Sequence, residues 1–346
     1  MPTAAISWTD PQRAQAFADW ISPLASAHGL DLASLAPASA DASFRRYFRL
    51  GSRQGSCIVM DAPPPQEDVR PFVQMAQRIL AAGLHAPRVL AADLDQGFLL
   101  LDDLGRQLYL DAFREADSRQ ADRLMRDAIR ALVHWQGQVE AQGLPDYDDA
   151  LLRRELALFP EWCVKTEFGV TWSEVEQARW QKVCDALVAS ALAQPVVAVH
   201  RDWMPRNLMV ADPNPGILDF QDAVRGPISY DVASMLRDAF WSWEEEQELD
   251  WAVRYWESAR KAGLPVADDF GEFWRQLEWM GLQRHLKVLG IFCRLKHRDG
   301  KPRYSEDLPR FFGYATKVAM RYAPLAPLVR LLEPLQGRSV SVGYTF

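Results

Sequence analysis

Between His200 and Asp222 the chain runs HRDWMPRNLMVADPNPGILDFQD, and three oxygen-bearing side chains, Asp202, Asn207 and Asp219, stand in it at set intervals. Asn207 precedes a short apolar run, Leu208 to Val210, and Asp219 follows a second one. From Ala211 to Gly216 two prolines and a glycine punctuate an Asp/Asn pair, a turn composition, so the two runs are expected to fold back as a β-hairpin. That geometry would set Asn207 and Asp219 side by side. An amide oxygen and a carboxylate so placed are hard donors suited to Mg²⁺, which takes one or two protein oxygens along with water and phosphate. Asp202, five residues before Asn207, would then face a metal-bound phosphate, where it could orient a hydroxyl and accept its proton. A polar loop that only caps and turns the chain is the competing account. A zinc site at His200 and Asp202 lacks the cysteine pair or third nearby histidine of a tetrahedral set.

The flanking chain supplies elements to hold these residues. Upstream, Asp10 to His28 has the pattern of an amphipathic helix, with Asp10 as N-cap, Pro11 in its first turn and Gly29 closing it. Phe44 to Leu50 and Ser56 to Met60 are β-rich runs joined by a Gly/Ser turn, hence a hairpin. Its small, polar leading edge, Ser39 to Ser43, could close backbone N–H groups over a phosphate or be an ordinary surface turn. Helical spacing follows from Glu67 to Ala82, then strand candidates at Pro87 to Ala92 and Gly97 to Leu101. This order suits an antiparallel sheet with one helix laid across it.

Beyond Gly105 the chain turns mainly helical. Helices are expected over Ser118 to Gln142, from a Ser173/Glu176 capping box to about Ala193, over Tyr230 to Trp243, Asp250 to Ala262, Asp268 to His297 and Ser305 to Tyr322. A short strand, Pro195 to Val199, delivers the chain to His200. The periodic tryptophans and phenylalanines of the last helices read as core. The expectation is an α+β fold in two lobes, residues 1–104 sheet-rich and 105–346 helical.

The 346 residues can bury a large core, and the composition, 49% hydrophobic and 25% charged, is ordinary for a globular chain. A formal net charge of −7 leaves no basic stripe for a nucleic-acid backbone. Four scattered cysteines suggest thiols in a reducing compartment. With neither a secretion-signal pattern nor an apolar run of membrane-spanning length, a cytoplasmic monomer with no membrane or nucleic-acid partner is expected.

HRDWMPRN, ILDFQD and GPISYDVASMLRD resemble the aminoglycoside phosphotransferase and choline kinase superfamily, a branch of the protein-kinase-like fold. Within it SFRRYFRL, VMDAPP, LLLDDLG and GLQRHLKVLGIF resemble the bacterial N-acetylmuramate/N-acetylglucosamine anomeric kinases of cell-wall recycling, and the likeness runs from about Ser39 to Arg303. The resemblance implies a bilobal fold with a small antiparallel-sheet lobe and a larger helical lobe, using ATP and Mg²⁺ on a small amino sugar. It makes Asp202 the catalytic base and Asn207 and Asp219 the metal ligands. Nucleotide contacts are implied at Ser43, Phe44, Arg45 and Arg46, and at a hinge of Leu101, Asp102, Asp103 and Leu104 ending at Gly105. Asp231 would brace the catalytic loop through backbone amides, with His200 and Arg201 in support. Gln221, Arg284, His285 and Arg303 are candidate sugar contacts; Arg284, His285, Lys287 and Arg303 are the cations available for a lactyl carboxylate, or else belong to a solvated helix face.

The chain departs from that pattern at Met60, which occupies the place of the usual strand lysine, and in a phosphate loop poor in glycine. Arg45 or Arg46 would have to supply the missing charge. Two further readings stay open. A cationic acceptor, an aminoglycoside or a choline-like amine, would want acids such as Glu244 to Glu246 and Glu248. A pseudokinase would bind nucleotide without turnover.

Overall fold

The structure, a computed structural model, describes residues 6, 8, 10–40, 44–53 and 55–337; Ser43 lies outside them. In chain order the first elements are α1 (Pro11–His28), β1 (Asp31–Ala40), β2 (Arg46–Ser52), β3 (Gly55–Asp61), α2 (Arg70–Ala81), β4 (Val89–Asp93) and β5 (Phe98–Asp102). Next come α3 (Tyr109–Glu115), α4 (Ser118–Gln138), α5 (Asp149–Leu156), α6 (Glu174–Leu192), β6 (Val196–Val199), β7 (Leu208–Met209), β8 (Gly216–Ile217) and β9 (Val224–Pro227). The chain continues with α7 (Tyr230–Leu236), α8 (Glu245–Lys261), α9 (Phe270–His297), α10 (Leu308–Arg321) and α11 (Ala326–Leu332).

Packing divides the chain into two compact units, Met1–Glu140 with Pro205–Asp222, and Ala141–Met204 with Ala223–Phe346. Residues 105–140 and the 205–222 hairpin thus pack with the sheet, whereas the sequence suggests a lobe boundary after residue 104. Among the described residues no helix is long and apolar enough to cross a membrane.

The first unit is built on an antiparallel sheet in the order β1-β2-β3-β5-β4. Alternation along the pleat sends Phe48, Leu50, Cys57, Val59, Phe98 and Leu100 to one face, where Phe17 and Ile21 of α1 complete a core. Tyr47, Arg49, Ile58 and Leu101 belong to the other face, which walls a cavity. Helix α1 starts and stops as its sequence predicts: Asp10 accepts from the Gln12 N–H at 2.8 Å, and Gly29 closes the helix in the left-handed region, φ 62°. On the cavity side, α2 sets Phe72 against Phe220, ring centroids 4.8 Å apart.

Strand β1 has no counterpart in the sequence reading. DLASLAPASA is rich in alanine and contains a proline, which argues against a strand. It becomes one because it is an edge, paired to β2 alone with two irregularities of register, one of them at Pro37, and edges and bulges are where a strand tolerates proline's missing N–H.

The second unit is helical apart from the antiparallel pair β6–β9. Both halves of the Ser173/Glu176 capping box form at the start of α6. Helix α9 runs through the core, burying Phe273, Leu277, Leu282, Leu286, Leu289 and Phe292. It passes so near the chain at Leu158 that a Cβ on Gly290 would lie 2.4 Å from the Leu158 carbonyl carbon, so this position requires glycine. Helix α7 stops at Leu236 rather than near Trp243. There Asp238 accepts the Phe240 N–H at 2.9 Å, a local bond that competes with helix continuation.

Candidate functional site

In the first unit the hinge after β5 and the β7–β8 hairpin line a cavity of about 320 Å³, with Tyr47, Arg49, Ile58 and Phe72 opposite. Leu101, Asp102, Asp103, Leu104 and Gly105 all contribute to its wall. Asp103 shapes the hinge: it accepts from Arg49 Nε at 2.6 Å and Nη2 at 3.0 Å, Ser56 Oγ at 2.6 Å and the Gly105 N–H at 3.0 Å. Burial alone would raise this carboxyl, but those donors outweigh it and hold it below the usual carboxylate range. Asp102 is bound in turn by the Arg88 backbone N–H and by Arg88 Nε, at 2.7 Å for the latter.

The hairpin is minimal, pairing only Leu208 with Ile217 and Met209 with Gly216. It cannot stand alone, and its neighbours in the unit hold it. Val210 N–H donates to the Gln107 carbonyl and Ile217 N–H to the His85 carbonyl, each at 2.8 Å. At the tip, Asn214 Nδ2 reaches Tyr109 Oη at 2.8 Å and Asp127 Oδ2 at 2.7 Å. At its base Asn207 Nδ2 lies 3.3 Å from Asp219 Oδ2, and the Leu218 N–H donates to the Asn207 carbonyl at 2.9 Å. Gln221 Nε2 holds the other Asp219 oxygen at 2.9 Å. Asp219 sits in the left-handed region at φ 61°, which aspartate tolerates better than most residues.

In the second unit β6 delivers His200, which is fully buried. Asp231 on α7, equally buried, accepts the His200 N–H at 2.7 Å and the Arg201 N–H at 2.9 Å. Burial pushes the Asp231 carboxyl up to about 7, against those two donors, which favour its charged form. Arg201 has φ 76°, and its carbonyl accepts from Ser234 Oγ at 3.1 Å and Arg284 Nη1 at 2.9 Å. Its guanidinium meets Glu155 Oε1 at 2.8 Å, and Lys287 Nζ meets the same oxygen at 2.7 Å. Tyr147 donates to the other Glu155 oxygen. Asp202 follows directly, its N–H on His200 Nδ1 at 3.3 Å and its carbonyl accepting from Met204 N–H at 2.9 Å.

The remaining sequence candidates scatter. Arg284 is buried, with its guanidinium over the Tyr230 ring at 4.8 Å, so it meets the loop carbonyl rather than open solvent. His285 is buried too, stacked on Tyr314 with centroids 4.9 Å apart, and Nε2 lies 3.3 Å from the Arg237 carbonyl. Burial lowers its pKa to about 3, with nearby arginines adding to the shift, so it is neutral at physiological pH. Arg303 is exposed beside Tyr304. Phe44 is 66% exposed, Arg45 pairs with Glu67 at 2.9 Å, and Arg46 pairs with the fully buried Asp61. Glu155 carries no signal in the sequence, where it looks like any helix acid; Lys287, a candidate cation for the lactyl carboxylate, meets Glu155 instead.

Comparisons with known proteins bear on this geometry. Among solved structures, a choline/ethanolamine kinase family protein from Mesorhizobium loti superposes with a TM-score of 0.59 at 14% identity, covering 92% of this chain and 98% of that one. An ADP-bound aminoglycoside phosphotransferase gives 0.55 at 12% identity, covering 89% and 99%. Those likenesses establish an α+β, protein-kinase-like fold. Residues 34–270 match the phosphotransferase enzyme family. The N-acetylmuramate/N-acetylglucosamine kinase of Pseudomonas aeruginosa is 54% identical over 303 residues, 88% of this chain and 89% of the relative. That of Neisseria meningitidis is 49% identical over 312 residues, 89% and 93%. The chain belongs to the phosphotransferase enzyme family, in the branch that holds these sugar kinases.

Proposed function

We propose that this protein transfers the γ-phosphoryl group of ATP to the anomeric C1 hydroxyl of N-acetylmuramate and N-acetylglucosamine, a step of peptidoglycan recycling in the cytoplasm. The observation that carries the reading is the Asn207–Asp219 pair, 3.3 Å apart in the wall of a cavity that the 101–105 hinge also lines. The names of the relatives supply the acceptor. The donors fit Mg²⁺, one amide oxygen and one carboxylate, with room left for phosphate oxygens and water. Asn207 and Asp219 would hold the ion, which supplies charge neutralisation on the phosphates when bound.

The chain's own residues do the rest. The hinge backbone receives the adenine, and Asp202 orients the sugar hydroxyl and takes its proton as the C1 oxygen bonds to the γ-phosphorus and the bond to the β-phosphate oxygen breaks. An anomeric hydroxyl is more acidic than an ordinary alcohol, which suits a carboxylate base. Gln221 is a candidate for a sugar hydroxyl and Arg303 for the lactyl carboxylate, since Arg284 and His285 face inward. A cationic acceptor is less well served, because Glu248 is buried and lies 3.5 Å from Arg237.

The test is a phosphorus NMR or mass assignment of the product formed from N-acetylmuramate and ATP, beside a C1-methylated sugar. Phosphate at C1, and none on the blocked sugar, is the expected result. Equal transfer to the blocked sugar would overturn C1 as acceptor, and no transfer to any sugar would favour the nucleotide-binding pseudokinase.

A further inference from the structure

The second unit, which carries the Asp202 loop, also holds a small pocket of about 50 Å³. Loop and pocket share two helices. Ser234 of α7 and Arg284 of α9 hold the Arg201 carbonyl, while Arg237, just past α7, and His285, next on α9, wall the pocket. Its charges cancel. Arg237 lies between Glu248 at 3.5 Å and Glu278 at 3.2 Å, Arg321 pairs with Glu278 at 2.5 Å and with Glu245, and Lys317 meets Glu245 at 2.9 Å. Three cations against three carboxylates leave no net charge to select an anion or an amine. Half-buried Trp243 and Tyr314 add aromatic surface, and exposed Lys317 and Arg321 open the pocket to solvent. Such a wall suits a neutral group with one polar and one apolar end.

One wall group lacks a partner. His285 Nε2 lies 3.3 Å from the Arg237 carbonyl, a contact that needs the proton on Nε2 and leaves Nδ1 a lone pair. That Nδ1 is buried with no hydrogen-bond partner among the described residues, and a buried acceptor without a donor is costly. The ring is held in place by its stack on Tyr314, centroids 4.9 Å apart, so what the site lacks is an N–H or O–H donor. At roughly 10–15 Å³ for each water-sized position, 50 Å³ admits about four such positions. That is room for an acetamido group and too little for a sugar ring. N-acetylmuramate and N-acetylglucosamine differ at C3 but share an acetamido group at C2, beside the C1 hydroxyl.

We propose that this pocket binds the acetamido group of the acceptor sugar, its N–H donating to His285 Nδ1 and its methyl lying against Trp243 and Tyr314; this rests on the kinase reading above. The experiment compares steady-state phosphorylation of N-acetylglucosamine and glucose by the whole chain at saturating ATP. The wild type should favour N-acetylglucosamine by at least about 100-fold in kcat/KM, because a site built to accept an N–H rejects an analogue that lacks it. His285→Phe keeps a ring on Tyr314 and removes the acceptor. Trp243→Ala removes a half-buried wall and carries the test should His285→Phe not fold. In each the preference should shrink about 10- to 100-fold, the range for a buried group left without its partner. A wild type that uses both sugars equally, or a preference unchanged in the folded variants, overturns the assignment and leaves a pocket that holds only water, while the kinase reading survives. No transfer to either sugar sinks both.

Discussion

Arg201 and Asp219 are the two non-glycine residues, among those described, with left-handed backbone, and each adjoins or belongs to the proposed chemistry. Such conformations cost about 1–3 kcal/mol and persist only where the surroundings over-determine them. Here the surroundings are plain: Arg201 is bonded at its N–H, carbonyl and side chain, and both carboxylate oxygens of Asp219 have a partner. If Asp202 is the base, Asp202→Asn should lower kcat by roughly 10²- to 10⁴-fold while ATP affinity stays near wild type, a split that single-turnover kinetics and calorimetry separate. If Asp219 is a metal ligand, Asp219→Ala should raise the Mg²⁺ concentration needed for half-maximal ATP binding, measurable without turnover. Insensitivity to Mg²⁺ in both proteins would remove the metal role.

At the scale of elements, the segment bearing Asp202 is held from three helices, by Glu155 of α5, Asp231 and Ser234 of α7, and Arg284 of α9, while Lys287 of α9 steadies Glu155. Glu155 is the keystone because one oxygen serves two cations; burial would raise its carboxyl, but Lys287 and Arg201 hold it below the usual range. Replacing it by Ala strands both cations in a buried site, for which about 3–5 kcal/mol of lost stability is expected, seen as a lower urea midpoint. Glu155→Gln should retain more stability and still lower kcat, because Arg201 loses its charged anchor. Asp231 was the one member the family resemblance pointed to; Glu155, Ser234 and the inward turn of Arg284 and Lys287 were not legible in the sequence, where members of the network lie up to 132 residues apart. The capping box of α6, the Asp10 and Gly29 ends of α1 and the 205–222 turn were legible, because each is written within a few consecutive residues. Strand β1 was not, since its partner rather than its composition makes it a strand.

For the whole molecule, four buried thiols and no disulfide imply that a thiol reagent should find no fast-reacting cysteine in the native protein and four after denaturation. Burial raises Cys184 to about 12, and the mutual hydrogen bond of Cys163 with Cys293, with burial, pushes the Cys163 thiol far above its ordinary value. His285 gives a pH prediction. Its folded pKa, about 3, lies below the unfolded value near 6.5, so the stability it contributes is complete above about pH 6.5 and is lost as pH falls toward 3. Asp231 and Asp238, raised by burial to about 7 and 6, act in the opposite sense, so the informative quantity is a difference. His285→Gln should lose stability less steeply than wild type between about pH 6.5 and 4, and parallel curves would refute the claim. By itself the chain determined the order of most helices and strands, the hairpin that brings Asn207 to Asp219 and the likeness to phosphotransferases, because local spacing and turn chemistry specify those. Only the tertiary structure decided that Arg284 and His285 turn inward and that Glu155 anchors the loop. Those outcomes depend on which face of a sheet or helix meets a neighbour remote in sequence, and no local pattern encodes that.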